Sequence, residues 1–250
     1  MARREIPEIN AGSMADIAFL LLIFWLVTTT IDSDEGVKRQ LPPPVPPDME
    51  QQEVKDGDVY NVRTNFRDEL LVEKEVMSIG QLKDGAKDFL IATGTGLLHP
   101  ERPNVTLGDD NMKYPERQWV RKSELILLEQ SYLAAGQPKA AERVREKLTA
   151  IELFGGDYKE LPGSALISLQ TDRSTSYDLY LQVQNELEAA INELRDELSL
   201  AKFNESYAEL EERYSRTKEA SLLDKIKSIR LVFPQRISEA EPRDASQGYY

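Results

Sequence analysis

Residues 17–27 form an unbroken apolar run, and Asp16 is the one charged residue between positions 11 and 31. A helix needs about 20 residues, at about 1.5 Å each, to cross a hydrocarbon core of about 30 Å. The stretch 11–31 just meets that length. Its threonines, Thr28, Thr29 and Thr30, are compatible with a helix because their hydroxyls bond back to the preceding turn. The pattern predicts a membrane helix over 11–31 behind a short tail, 1–10. A cleaved secretory signal is the rival, since Arg3 and Arg4 precede the apolar run. The carboxylate at the start of that run, and the bulky Thr28 to Asp32 segment where cleavage would fall, favour an uncleaved anchor. Charge does not orient it: Arg3 and Arg4 before the span are balanced by Lys38 and Arg39 after it. A short tail ahead of a long polar region is more natural with the N-terminus in the cytoplasm.

The rest of the chain narrows the chemistry. A mean hydropathy of −0.48 excludes a polytopic membrane protein. A formal charge of −13 over 250 residues argues against nucleic acid as a partner. With no cysteine and a single histidine, His99, there are no disulfides, cysteine zinc sites or cysteine nucleophiles, and no Ser-His-Asp triad unless His99 serves it. His99 lies in Leu98-His99-Pro100-Glu101, a loop-like context that predicts a structural or exposed ring. Neither phosphate-binding glycine pattern is present. No cofactor, no metal and no enzymatic activity are expected.

Asp16 is the candidate working residue. An ionised aspartate near a bilayer centre costs about 2.5 to 3.5 kcal/mol. Burial favours the protonated form of a carboxyl group. A protonated acid can face apolar surroundings, whereas an ionised one needs water, a hydroxyl or a cation. Protonation can therefore select which neighbour a helix faces. Leu20, Ile23, Val27 and Thr30 share the face of Asp16, and with Thr28 they are candidates for helix packing and for lining a proton path. The bland alternative places Asp16 in headgroup water at the membrane surface. The residues alone leave both placements open.

The run from Met14 to Thr30, Met-Ala-Asp-Ile-Ala-Phe-Leu-Leu-Leu-Ile-Phe-Trp-Leu-Val-Thr-Thr-Thr, resembles the signature of the ExbD/TolR biopolymer-transport family. It departs from the family pattern at Met14-Ala15. The resemblance implies that Asp16 is the proton-accepting aspartate. It also implies a dimer of this chain inside a ring of a multi-span, ExbB/TolQ/MotA-like protein in the bacterial inner membrane. A TonB-like or other envelope protein would be the load, and the C-terminal region would be periplasmic.

Beyond the helix, 32–58 reads as a linker stiffened by Leu41-Pro42-Pro43-Pro44-Val45-Pro46-Pro47. The fold class expected for 59–237 is α+β, similar to the family's small envelope domain. Alternation at Tyr60, Val62 and Thr64, then Leu70 to Val72, predicts two strands, and Ser78 with Gln81 predicts a capped helix. A strand is expected over 165–169, then a helix capped by Thr175 and Asp178 with Tyr180, Val183, Leu187, Ile191, Leu194 and Leu198 on one face. Asp172-Arg173 reads as a turn. A last strand is expected over 229–233, stopped by Pro234. Two regions exceed a minimal family member. One, 94–163, contains a helical hairpin, 122–135 and 139–153, broken at Gly136-Gln137-Pro138 and similar to a single tetratricopeptide unit. The other is a charged helix at about 204–227. Residues 238–250 are expected to be a disordered tail.

Two functions from different classes fit. One is a proton-coupled motor subunit that turns the proton motive force into envelope work, either transport or motility. The other is a passive scaffold: a single-span anchor carrying an envelope or cell-wall-binding module, with Asp16 idle.

Overall fold

A computed structural model describes residues 11–29, 56–101, 106–107 and 112–240. The chain divides into two compact units, Met1–Met49 and Glu50–Tyr250. In the first, helix α1 spans Ala11–Thr29. The expected tail 1–10, the end of the expected membrane helix, 30–31, and most of the expected linker, 32–55, lie outside the described residues.

The second unit is α+β. A short 3-10 turn, Asp56–Asp58, leads into strands β1 (Val59–Thr64), β2 (Leu70–Val72) and β3 (Glu75–Met77), followed by helix α2 (Ile79–Ile91). Two small strands, β4 (Thr106–Leu107) and β5 (Met112–Lys113), pair with each other. Strand β6 (Gln118–Val120), helices α3 (Lys122–Ala134) and α4 (Pro138–Phe154), and strand β7 (Tyr158–Glu160) follow. Strand β8 (Leu166–Gln170), helices α5 (Tyr177–Phe203), α6 (Tyr207–Thr217) and α7 (Ala220–Val232), and strand β9 (Ile237–Glu239) complete the unit.

The main sheet has the order β3-β2-β1-β8-β9. β1 runs antiparallel to β2 but parallel to β8, so everything from α2 to β7 lies within one crossover. Period-two alternation turns Tyr60, Val62, Leu70, Val72, Ile167 and Leu169 into the core. There they join Leu82, Ala86 and Phe89 of α2 and Val183, Leu187, Ile191, Leu194 and Leu198 of α5, the last five forming the expected helical stripe. On the rim of the α2–α5 packing, Lys83 and Lys87 pair with Glu193 at 2.6 and 3.2 Å, and Lys87 with Glu197 at 2.8 Å. The hydrogen bond from Lys83 is the main reason the Glu193 carboxyl sits below its usual range.

Tyr60 stacks on Phe89 with ring centroids 5.2 Å apart. Its hydroxyl is buried without a hydrogen-bond partner among the described residues, and burial raises its pKa well above the usual value. A Cβ at Gly85 would lie 2.5 Å from that oxygen, so only glycine leaves it room. An unpaired buried hydroxyl costs free energy that a hydrogen atom does not. Tyr60→Phe is therefore expected to raise stability by about 1 kcal/mol, read as a higher denaturant midpoint with unchanged slope.

Several expectations need correction. The segment 229–233 is not a strand but the end of α7. Leu222, Ile226, Ile229 and Phe233 recur at helical spacing and are all buried, a pattern hidden when the short run is read alone. Pro234 ends the helix, and the true edge strand β9 follows, which places 238 and 239 in the sheet rather than in a tail. Residues 241–250 lie outside the described set. The single charged helix at 204–227 is two helices, α6 and α7, separated at Lys218, whose φ of 56° is left-handed. A third strand, β3, follows a tight turn in which Glu73 and Lys74 both have positive φ, 49° and 79°. Such turns favour Gly and Asn, so Glu-Lys gave no turn signal. The cap of α5 is Ser176, which accepts from the Leu179 N–H at 3.3 Å, rather than Thr175.

The hairpin α3–α4 forms where expected, and α4 ends at Gly155 in a left-handed conformation. The sequence did not reveal the buried junction beside it, which ties β7 to the ends of α2 and α7. Arg117, just before β6, is 3% exposed. Its guanidinium donates to the Leu90 carbonyl (Nη2, 2.6 Å; Nε, 3.2 Å), the Lys159 carbonyl (2.8 Å) and the Val232 carbonyl (3.1 Å). Leu90 and Val232 lie in the last turns of α2 and α7, where carbonyls lack helical partners and carry partial negative charge. The Phe233 ring lies 5.2 Å beneath the cation. Burial lowers the Arg117 pKa to about 9, which leaves it charged at neutral pH.

Candidate functional site

α1 differs in kind from the other helices. Leu20, Leu22, Phe24 and Trp25 are 59–72% exposed and lie on different sides of the helix. A helix that is apolar all round is at home in a protein core or a bilayer, not in water. Among the described residues no helix is long and apolar enough to cross a membrane. The side chains of α1 are described only over 14–25, about 18 Å of rise, while its 19-residue backbone spans about 28 Å.

Asp16 lies in the second turn of α1 and is exposed. At about 100° per residue, Leu20 and Ile23 fall within about 40° of Asp16 around the axis, and Val27 continues the row. Thr28 falls about 120° away, off that row. The side chains of Val27 and Thr28, and the whole of Thr30, lie outside the described residues. The site is thus a single carboxyl group on an apolar stripe, with no second titratable group on α1.

In the second unit, none of the candidates makes a catalytic centre. Asp172 accepts the Ser174 N–H at 2.8 Å, and its own N–H bonds to the Thr64 carbonyl, which makes Asp172-Arg173 a turn. The His99 ring is edge-on to Phe233 at 6.2 Å, with Nε2 3.6 Å from Glu197, so it is packed. No group of residues suited to a metal ion occurs among the described residues. A shallow pocket on the open face of the sheet is lined by Asn61, Arg63, Leu71, Glu73 and Lys74. Glu73 already accepts the Asn61 N–H, so its carboxylate serves the tight turn between β2 and β3.

The family described as biopolymer transport protein ExbD/TolR matches residues 2–195. The chain belongs to the ExbD/TolR family. The match begins ahead of α1, takes in Asp16, runs through the α3–α4 hairpin and ends within α5. Helices α6 and α7 and strand β9 lie beyond it. ExbD/TolR proteins act in biopolymer transport and energy transduction, work with ExbB/TolQ-type partners at the inner membrane, and are not an enzyme family. No curated protein and no solved structure matches the chain.

Proposed function

We propose that this ExbD/TolR protein is the proton-carrying, single-span subunit of an inner-membrane motor and that Asp16 binds the working proton. The observation that carries the reading is the lone carboxyl on a helix apolar on every side, within the stretch matched by the family. In this reading α1 crosses the inner membrane with its N-terminus in the cytoplasm, and the α+β unit stands in the periplasm at the end of the proline-rich linker. Two copies sit within a ring of an ExbB/TolQ-like protein. Protonation lets Asp16 face apolar ring helices, and ionisation turns it toward a hydroxyl or water. One elementary charge crossing 100 mV releases about 2.3 kcal/mol. Each proton transfer can therefore bias the relative orientation of helix and ring. The periplasmic unit passes that movement to a TonB-like or other envelope protein.

One helix cannot enclose a proton path, so the reading requires the ring. Affinity isolation of the tagged chain from its own membranes is expected to bring down a multi-span protein in several-fold molar excess. Isolation of the chain without any multi-span protein favours the passive scaffold.

A further inference from the structure

We propose that residues 241–250 of this chain dock across the open face of the main sheet and cover the pocket beside Arg63 and Lys74. The strand pairings lay out one row of residues on that face. Arg63 of β1 is paired with Gln170 of β8 on one side and with Leu71 of β2 on the other. Leu71 is paired in turn with Val76 of β3. At the opposite edge Leu169 is paired with Glu239, so Ala240 continues the row beside Gln170. The Ala240 N–H donates to the Leu169 carbonyl at 2.9 Å. The described chain therefore ends at one end of the row, and the uncovered groups lie along it.

Those groups have a definite chemistry. Val76 is 73% exposed, beside a half-buried Leu71. Arg63 and Lys74 are exposed, and among the described residues neither forms an ion pair. Glu73, the acid of the same pocket, is engaged by the Asn61 N–H. An occupant that fits brings a carboxylate to the cations and an apolar ring to Leu71 and Val76. The segment that follows Ala240, Glu-Pro-Arg-Asp-Ala-Ser-Gln-Gly-Tyr-Tyr, carries both in that order.

The chain also leaves the sheet toward this face. Glu239 is held on the core side by the Tyr180 hydroxyl at 2.6 Å and the Gln184 amide at 2.8 Å. Period-two alternation then turns Ala240 to the open side. Pro242 has no N–H with which to prolong the β9 ladder. Strand β1 stands about 10 Å from β9, and β3 about 19 Å, at the usual spacing between strands. At about 3.3 Å per residue, an extended chain covers the first distance by Asp244 and the second before Tyr249. Alternation sets Asp244 toward the sheet and Arg243 toward solvent. Asp244 thus meets Arg63, and beyond Gly248 a tyrosine ring covers Leu71 and Val76. An exposed ion pair is weak by itself. A segment tethered next to its site needs little more, because the effective concentration reaches about the millimolar range. The cover keeps other molecules off the open face until it is displaced, and it is independent of the role of Asp16.

Because the chain has no cysteine, introduced pairs test the contact in the full chain. Tyr249→Cys is combined either with Val76→Cys or with Glu75→Cys. Glu75 is the adjacent residue of the same strand and takes the opposite face, paired with the buried Val72. The two positions are about equally far from Ala240, so the comparison isolates the face. The expected result is an intrachain disulfide that forms about tenfold faster with Val76→Cys, since linkage needs Cα atoms within about 7 Å. Arg63→Glu should reduce that rate to the Glu75→Cys level, and adding Asp244→Arg should restore it. Equal rates at positions 75 and 76 overturn the proposal. A disulfide linking two chains overturns it in favour of another copy as the occupant. A Val76→Cys rate unmoved by Arg63→Glu overturns the assignment of Asp244 to Arg63.

Discussion

Asp16→Asn is expected to reduce the proton-driven activity of the assembly to that of cells lacking the chain, while the protein still inserts and still binds its ring. Asparagine keeps the size and hydrogen-bonding reach of the side chain but cannot gain or lose a proton at neutral pH. The apolar stripe of Leu20 and Ile23 is untouched, so helix packing should persist. Asp16→Glu, which keeps the proton but adds a methylene, is expected to retain partial activity. Growth that depends on the transported cargo, or envelope integrity, reads the activity, and co-isolation of the ring reads assembly. Unchanged activity in Asp16→Asn supports the passive scaffold.

The largest stability effect is expected at Arg117. Arg117→Met keeps an apolar stem of similar length but strands the Leu90, Lys159 and Val232 carbonyls without that donor in a buried junction. It also removes the cation above Phe233. Hydrogen bonds to charged groups contribute about 1.5–3 kcal/mol each, and stranding buried acceptors adds a desolvation cost. The expected loss is about 3–5 kcal/mol, short of the sum because these bonds share one cation and are not additive. Denaturant unfolding should show the midpoint falling by about 1–3 M urea. The control is Arg213→Met, whose 2.7 Å pair with Glu205 is at the surface. It should cost less than about 1 kcal/mol. A loss at Arg117 as small as at Arg213 would mean that the junction does not hold the ends of α2 and α7 to β7.

Local, repetitive signals were the legible ones. The 3.6-residue spacing of Val183, Leu187, Ile191, Leu194 and Leu198, the alternation of Tyr60, Val62 and Thr64, and the Gly136-Gln137-Pro138 break each state their element within one window of sequence. The misread segments depend on context outside the window. Ile229 to Phe233 has the composition of a strand, and only the preceding Leu222 and Ile226 show that its burial follows a helical period. Glu73-Lys74 is held in a left-handed turn by the strands on either side and by Glu73 capping the Asn61 N–H. Arg117 gave no signal at all. A lone arginine in a loop looks solvated until the chain brings two helix ends to it from sites far apart in sequence. The candidate site was legible for the opposite reason. A carboxylate in an apolar run is anomalous by itself, and no tertiary contact is needed to see it.

The central claim is that the Asp16 carboxyl takes up and releases a proton as the assembly works. Infrared difference spectroscopy of the isolated complex in membranes, with and without an imposed proton gradient, tests it directly. The account predicts a protonated-carboxyl C=O band that rises and falls with proton flow and is missing in Asp16→Asn. A carboxylate that stays ionised throughout, giving identical difference spectra for the two proteins, contradicts it.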